Sequence, residues 1–241
     1  KFLTQSAGYG VAEAGKQALS LLLVPLYARF LTAEDYGIVC VLAVATGILG
    51  TILAWGMNSA VVRYLFIYTD PERQRTFLTS MTAVLIGSSL VLCAGCWLWG
   101  GPVFQALFPQ IPVKPFLALV VWSAFFSLVE IIPMAYLWAT ERLRTYTTMS
   151  LLTAGLRLVL IFVMVAVLRH GAAGKLEVDI LAGIGTAIVR GGWFCTKLDW
   201  RFSWRLIWKP LAFGGPLVLH SLALLLLNSA DRVLLQRVVS L

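Results

Sequence analysis

Long apolar runs recur along this chain, and they constrain its fold more than any other feature. One of them, LLTAGLRLVLIFVMVAVL, extends from Leu151 to Leu168 and contains a single charged residue, Arg157. A helix needs about 20 mainly apolar residues to cross the hydrocarbon core of a bilayer. The chain is 60% hydrophobic and 12% charged, whereas soluble domains are about 25% charged. We therefore predict an all-α polytopic membrane protein, because a membrane β-barrel would show shorter segments of alternating polarity.

Charged residues and Pro/Gly clusters divide the apolar runs into seven predicted helices, with no soluble domain between them. The predicted helices are Ala7–Phe30, Tyr36–Tyr64, Thr76–Trp99, Val113–Ala139, Tyr146–Leu168, Asp179–Phe194 and Leu211–Leu235. The sixth is the least regular, since it is short and rich in glycine.

Lysine and arginine predict the orientation, because cytoplasmic connections carry an excess of both. The connections after helices two, four and six hold Arg63, Arg73, Arg75, Arg142, Arg144, Arg190, Lys197, Arg201, Arg205 and Lys209. The connections after helices one, three and five hold only Arg29, Lys114, Arg169 and Lys175. The first set is expected to be cytoplasmic, and the N-terminus with it. Topology thus accounts for much of the net charge of +8, and no nucleic-acid partner is expected.

Motifs for hydrolysis, ATP use or metal binding are missing from the sequence. It contains no G-x-S-x-G, Walker or H-E-x-x-H pattern. Cys93 and Cys96 lack the second ligand pair of a zinc site and are interpreted as packing residues. No enzymatic activity, metal or cofactor is predicted. A membrane glycosyl- or acyltransferase stays as an alternative, although its cytoplasmic candidate acids lie on separate connections: Asp70, Glu72, Glu141 and Asp199.

Polar stripes along the helices carry the functional information. At 100° per residue, the polar residues of helix one lie within about 60° of Glu13. These residues are Ser6, Tyr9, Lys16, Gln17, Ser20 and Tyr27. Other helices repeat the pattern with Ser123, Ser127 and Glu130, with Tyr146, Ser150, Thr153 and Arg157, with Asp179, Gly183, Thr186 and Arg190, and with Ser221, Asn228, Asp231 and Arg232. Such stripes avoid lipid, so a shared polar cavity is predicted between the helices. Pro133 is expected to kink helix four.

Arg157 is the residue that most requires an explanation. It lies midway along the fifth predicted helix, where an arginine costs roughly 2.5–3.5 kcal/mol on insertion scales. Glu130 is a candidate structural partner, but the hydroxyl-bearing neighbours of Arg157 favour a role in the cavity. For Glu13 and Lys16, mutual pairing is an equal alternative, and Asp231 with Arg232 lies close enough to a helix end to reach the interface.

Three stretches resemble the polysaccharide biosynthesis exporters, the O-antigen or oligosaccharide flippases of the Wzx type within the MATE-like (MOP exporter) superfamily. They are LLLVPLYARFLTAEDYGIV (Leu21–Val39), GMNSAVVRYL (Gly56–Leu65) and FGGPLVLHSLALLLLNSADRVLL (Phe213–Leu235). The resemblance implies two six-helix lobes around a central cavity. Residues 1–200 would form the N-terminal lobe and residues 201–241 the start of the C-terminal lobe, so the chain is expected to be a fragment.

The resemblance also implies a secondary transporter that flips undecaprenyl-diphosphate-linked oligosaccharides across the bacterial inner membrane. Polysaccharide polymerase and glycosyltransferases would be its partners. The residues expected to line the substrate cavity are Arg157, Arg63, Lys16, Glu13, Gln17, Ser150, Thr153, Asn228 and Asp231. Glu13, Glu130 and Asp231 are candidates for carrying a coupled ion. A lipid II flippase and a drug or cation antiporter of the same superfamily remain alternatives.

Overall fold

The structure is a computed structural model that describes residues 10, 13–15, 17–19 and 21–239, with residues 228–239 described by their backbone alone. All of its regular elements in these ranges are helices: α1 (Leu23–Phe30), α2 (Ala33–Ala54), α3 (Met57–Ile67), α4 (Pro71–Trp99), α5 (Gly101–Leu107), α6 (Val113–Val129), α7 (Ile131–Ala139), α8 (Leu143–Ile161), α9 (Gly171–Thr186), α10 (Gly192–Cys195) and α11 (Trp204–Val239). The predicted all-α membrane fold is confirmed.

Several helices form continuous spans across local irregularities. In the described part of the chain, five segments are long and apolar enough to cross a membrane: Ala33–Ile67, Pro71–Trp99, Val113–Ala139, Leu143–Val167 and Trp204–Leu227. The predicted sixth helix is longer than expected, because it begins at Gly171 and continues to Cys195. Its charged first turns, with Lys175 and Asp179, hid this start from a search for apolar runs.

Local sequence signals explain where the helices begin and break. The Thr32 hydroxyl accepts a hydrogen bond from the Asp35 N–H at 3.1 Å and caps α2. Asp70 caps α4, with Pro71 in the first turn. The predicted second helix breaks at Trp55 and Gly56, whose φ angles of 50° and 63° are left-handed. The fourth breaks at Glu130, consistent with Pro133, which has no N–H to offer the carbonyl of Val129.

The α6–α7 span is the centre of the bundle. It packs against α2, α4 and α9 through α6 and against α3 through α7. One apolar cluster around Phe77, Met81 and Ile132 fills one end of the bundle. A second, around Leu42, Phe116 and Leu176, fills the other. Large apolar side chains such as Val91, Leu152 and Leu219 remain exposed on the outside, as expected for a surface in contact with lipid.

The connections separate into two groups at opposite ends of the bundle. The connection between α10 and α11 contacts the start of α4, where the Thr76 hydroxyl donates to Asp199 Oδ2 at 2.8 Å. Burial tends to raise the pKa of Asp199, but hydrogen bonds from Thr76 and from the Arg201 N–H outweigh it and lower that pKa. At the other end, the Ala172 N–H that follows α8 donates to Asp35 Oδ1 at 3.2 Å. The predicted orientation assumes that successive connections lie at alternate ends of the bundle, and these contacts agree with that assumption.

Candidate functional site

A partly polar cavity of about 780 Å3 lies between α1 with the preceding Leu19, α2, α3, the α6–α7 span, α8 and α9. Its polar and charged lining residues are Tyr27, Tyr36, Asn58, Ser127, Glu130, Ser150, Thr153, Arg157, Lys175, Asp179 and Arg190. The rest of the wall is apolar and includes Leu19, Val24, Val39, Ile131, Met134 and Ile161. The shared cavity expected from the polar stripes is therefore present in the structure.

Arg190 is the most enclosed charge in this cavity, with a relative exposure of 4%. Its guanidinium donates to the carboxylate of Glu130, to the hydroxyl of Thr153 and, at 2.7 Å, to the carbonyl oxygen of Met149. These acceptors come from the α6–α7 break and from α8. Arg190 thus links its own helical segment to two of the candidate membrane spans, and these acceptors offset the cost of removing its charge from water.

The local backbone places Arg190 and Glu130 where they meet. Arg190 lies in a turn of π-helix, Ala187–Gly191, between α9 and α10, and such turns occur often at functional positions. Glu130 lies at the break between α6 and α7. Gly183 allows the approach of the two spans, because a Cβ on it would lie 2.5 Å from the Cβ of Phe126.

Arg157 lies one helical turn beyond Thr153, on the cavity face of α8. Its Nε atom is buried and makes no hydrogen bond within the described part of the chain. The neighbouring Ser150 is 3% exposed, and its hydroxyl also lacks a partner there. Leu152, Leu156 and Val159 of the same helix are exposed on its outer face. The structure therefore places on the cavity wall an arginine whose Nε has no acceptor among the described residues.

A second ion pair lies towards the other end of the cavity. Lys175 Nζ and Asp179 Oδ2, one turn apart on α9, are separated by 2.5 Å. About a fifth of each side chain is exposed. Because these two charges neutralise each other, they add no net charge to the wall.

Four of the predicted functional residues line the cavity: Arg157, Ser150, Thr153 and Glu130. Glu130, the candidate structural partner of Arg157, pairs with Arg190 instead, and the cavity role that was favoured for Arg157 stays a prediction. Arg190, counted in a connection for the orientation, is buried inside the bundle. The helical period placed Arg190 on the polar face of its helix. It could not show which carboxylate would pair with Arg190, because that carboxylate lies on another helix.

Other predicted residues lie elsewhere. Arg63 is not among the lining residues; its guanidinium stacks on the ring of Phe213, 4.4 Å from the centroid, where it joins α3 to α11. Glu13 and Gln17 are exposed and also lie outside the cavity wall, and Glu13 Oε1 accepts a hydrogen bond from the Tyr146 hydroxyl at 3.1 Å. The placement of Lys16, and the side chains of Asn228 and Asp231, fall outside the described residues.

Asn58 is a cavity residue that the sequence analysis missed. It follows the helix break at Trp55 and Gly56. In an unbroken helix from Tyr36 to Tyr64 the side chain of Asn58 would point in a different direction. Only the helix break could have predicted its place in the cavity, and Gly56 is a weak signal of that break.

Solved structures of transporters share this fold. An outward-facing multidrug resistance MATE family transporter of the MOP superfamily matches with a TM-score of 0.67 and 16% identity over 90% of this chain and 52% of its own. A MATE protein in complex with MaD3S matches with a TM-score of 0.62 and 17% identity, over 91% and 53% of the two chains. A MOP superfamily transporter from Pyrococcus furiosus Vc1 (DSM3638), described as having a binding pocket of reverse polarity, matches with a TM-score of 0.58 and 16% identity, over 90% and 50%.

The chain spans about half the length of these structures. No curated protein sequence gives a significant match. The sequence profile of the polysaccharide biosynthesis proteins, in contrast, matches residues 5–241, which is nearly the whole chain. A multi-pass helical bundle with the MATE-like fold and this profile match agree with the resemblance read from the sequence. The chain belongs to the polysaccharide biosynthesis protein family.

Proposed function

We propose that this chain forms part of a secondary transporter that flips undecaprenyl-diphosphate-linked oligosaccharide repeat units across the bacterial inner membrane. The repeat units would be used for surface polysaccharide such as the O-antigen of lipopolysaccharide. The family of the chain and its MATE-like fold support an exporter. Because the chain spans about half of the matched structures, the activity is proposed for the complete protein.

The observation that carries the proposal is the unpaired Arg157. Its buried Nε has no hydrogen-bond acceptor among the described residues, and Arg190 lies across Thr153 from it. A guanidinium offers planar, charge-assisted hydrogen bonds that match phosphate oxygens. The diphosphate of the substrate would supply the acceptors that the protein does not.

Size and polarity of the cavity also suit such a substrate. Ligand cavities are typically about 300–1,000 Å3, so the volume of about 780 Å3 has room for a diphosphate and the first sugars. Ser150, Thr153 and Asn58 offer groups that hydrogen-bond sugar hydroxyls, and Tyr27 and Tyr36 add aromatic faces. The polyisoprenyl chain would stay in the surrounding lipid.

The charges of the cavity argue against a cation or drug antiporter. The charged lining residues are Arg157, Lys175 and Arg190 against Glu130 and Asp179, one more cation than carboxylate among the described positions. A site for organic cations would need the opposite balance. A lipid II flippase would need the same diphosphate chemistry and differs from this proposal only in the sugar.

Two of the acids considered for a transferase have structural roles. Asp70 caps α4 through the Glu72 N–H at 3.3 Å. Asp199 accepts from Thr76 and from the Arg201 N–H. Neither lines the cavity, so neither supports a transferase that acts on a substrate bound there.

In this proposal the N-terminus is cytoplasmic, and an ion gradient or the substrate gradient drives alternating access. Glu130 is the candidate for ion coupling that lines the cavity; Glu13 and Asp231 stay candidates. Glycosyltransferases would deliver the repeat unit, and a polysaccharide polymerase would receive it.

The test is the sidedness of the lipid-linked repeat unit in a strain that lacks the gene. We expect these units to accumulate on the cytoplasmic face and surface polysaccharide to disappear, and the complete gene to restore both. Normal surface polysaccharide in the deletion strain, in the absence of a second family member, would contradict the proposal.

A further inference from the structure

Arg190 is surrounded by three acceptors, and only one of them is charged. The carbonyl of Met149 and the hydroxyl of Thr153 are neutral, whereas Glu130 provides a carboxylate. The carboxylate therefore occupies the position that an anionic ligand of Arg190 would take. Thr153 lies between the two arginines. Its hydroxyl accepts a hydrogen bond from Arg190, and Arg157 lies one turn further along the cavity face of α8.

The two members of the ion pair differ in their access to the cavity. The side chain of Arg190 is 5% exposed, but that of Glu130 is 27% exposed. Only the Oε2 atom of Glu130 is engaged among the described residues, and its Oε1 makes no hydrogen bond there. Glu130 also lies at the break between α6 and α7, where its carbonyl accepts the Met134 N–H at 3.0 Å and its side chain is half-buried at the cavity wall. Its side chain is thus the member of the pair that can turn away while Arg190 stays in place.

We infer that Glu130 is an internal competitor anion, which holds Arg190 until a phosphate group displaces it. This inference rests on the proposed function. Among the described residues Glu130 pairs with Arg190 and makes no hydrogen bond to Arg157, so Arg157 is left to receive the first phosphate. The second phosphate of the same diphosphate then exchanges with Glu130 at Arg190. A ligand with two linked phosphates can complete this exchange, whereas a single phosphate engages Arg157 alone.

The competitor gives the transporter a means of release. When a binding-competent state is only fractionally populated, the apparent dissociation constant increases by the inverse of that fraction. If Arg190 is free of Glu130 about a tenth of the time, diphosphate binds roughly tenfold more weakly than it would to two free arginines. The return of Glu130 to Arg190 would favour the departure of the substrate at the other face of the membrane.

The experiment compares the binding of inorganic diphosphate to the complete gene product and its variants. The protein is purified in detergent, and dissociation constants are measured by calorimetry at fixed ionic strength without divalent cations. Glu130→Gln keeps the size and an oxygen acceptor but removes the charge. Glu177→Gln is the matched control, because it makes the same change at an ion-paired carboxylate that does not line the cavity. Glu177 Oε2 lies 2.7 Å from His170 Nδ1, and its side chain is 32% exposed, close to the 27% of Glu130.

We expect Glu130→Gln to bind diphosphate about tenfold more tightly and Glu177→Gln to bind it as the wild type does. Surface polysaccharide should fall with Glu130→Gln, because release slows. Arg157→Ala is included to test the site itself, and it should weaken binding severely. The melting temperature of each variant is recorded, since a purely structural pair would lower it in Glu130→Gln without any gain in affinity.

Three outcomes distinguish a failure of the competitor role of Glu130 from a failure of the proposed function. Unchanged or weaker binding by Glu130→Gln, together with loss of binding in Arg157→Ala, would exclude the competitor and leave the proposed function standing. Equal tightening by Glu130→Gln and Glu177→Gln would assign the effect to the overall charge of the protein and also exclude the competitor. Wild-type binding that persists in Arg157→Ala would contradict the proposed function, and the inference with it.

Discussion

At the residue scale, Arg157 and Arg190 show how the same side chain serves two purposes in one cavity. Arg190 is buried, and its guanidinium donates to acceptors from two neighbouring spans. Arg157 lines the same cavity with a buried Nε that no described residue satisfies. Removing the first should therefore affect folding, and removing the second should affect binding.

We predict that Arg157→Ala leaves the amount of protein in the membrane near normal and abolishes transport, because no described carboxylate loses its partner. Arg157→Lys should retain partial transport, since lysine keeps the charge but lacks the planar fork for phosphate oxygens. Membrane abundance and surface polysaccharide are measured side by side. A stable, fully active Arg157→Ala protein would show that this arginine does not bind substrate.

Arg190→Met is predicted to destabilise the protein by about 3–5 kcal/mol, because it leaves the carboxylate of Glu130 without its partner. The double variant Arg190→Met/Glu130→Leu should recover most of that stability, since no charge is then left in the bundle at this point. Thermal unfolding in detergent measures both. If the double variant is no more stable than the single one, Glu130 is not the residue that makes the loss of Arg190 costly.

At the scale of elements, two glycines set how closely helices approach. Gly183 of α9 faces Phe126 of α6, and Gly214 of α11 faces the break between α2 and α3. In both places a Cβ would come within 2.5 Å of another atom, a distance that side-chain rotation alone cannot relieve. The Gly183 contact affects the cavity, whereas the Gly214 contact affects the position of α11.

The Gly183 contact supports the cavity. Gly183→Ala should displace α9 from α6, weaken the pair between Arg190 and Glu130, and destabilise the protein by about 1–3 kcal/mol, as overpacking does. Gly192→Ala is the control, because no atom lies within 4 Å of a Cβ placed there. Melting temperature and diphosphate affinity are the measurements. Equal effects of the two substitutions would argue against a tight α6–α9 contact.

The Gly214 contact joins α11 to the rest of the bundle. A Cβ on Gly214 would lie 2.3 Å from the carbonyl oxygen of Trp55, and the facing Gly56 has a left-handed φ of 63°. Gly214→Ala should therefore cost about 1–3 kcal/mol and loosen α11 from the α2–α3 break. Gly215→Ala meets nothing within 4 Å and should be neutral or slightly stabilising, since alanine favours helix. Limited proteolysis between α10 and α11 distinguishes the two variants.

At the scale of the whole molecule, the predicted orientation can be tested by cysteine labelling, which needs positions that a thiol reagent can reach. Ala172, although it lies in an outer connection by sequence, is only 3% exposed and would not report sidedness. The connections offer exposed positions instead: Glu72 and Thr140 on the side predicted to be cytoplasmic, and Gln110 and His170 on the opposite side.

We predict that cysteines at Gln110 and His170 react with an impermeant thiol reagent added to intact cells, whereas cysteines at Glu72 and Thr140 react only after permeabilisation. The four native cysteines are replaced first, because Cys195 is exposed. Labelling of Glu72→Cys from outside would reverse the orientation and place the N-terminus outside. The assignment of residues 1–200 and 201–241 to two lobes stays a prediction.

The sequence by itself determined the membrane-spanning helical fold and which residues share a polar face, because both follow from local patterns. Apolar length indicates a span, and the period of 3.6 residues aligns Ser150, Thr153 and Arg157. It also indicated the family through short motifs near Pro25, Tyr36 and Gly214. Only the tertiary structure decided the pairing within the cavity. The meeting of Glu130 with Arg190 depends on a helix break, a π-helical turn and a glycine contact between spans that are far apart in the chain. Distances between spans are set by packing, and a helical period carries no information about packing. The sequence therefore identified the charged residues but not their partners.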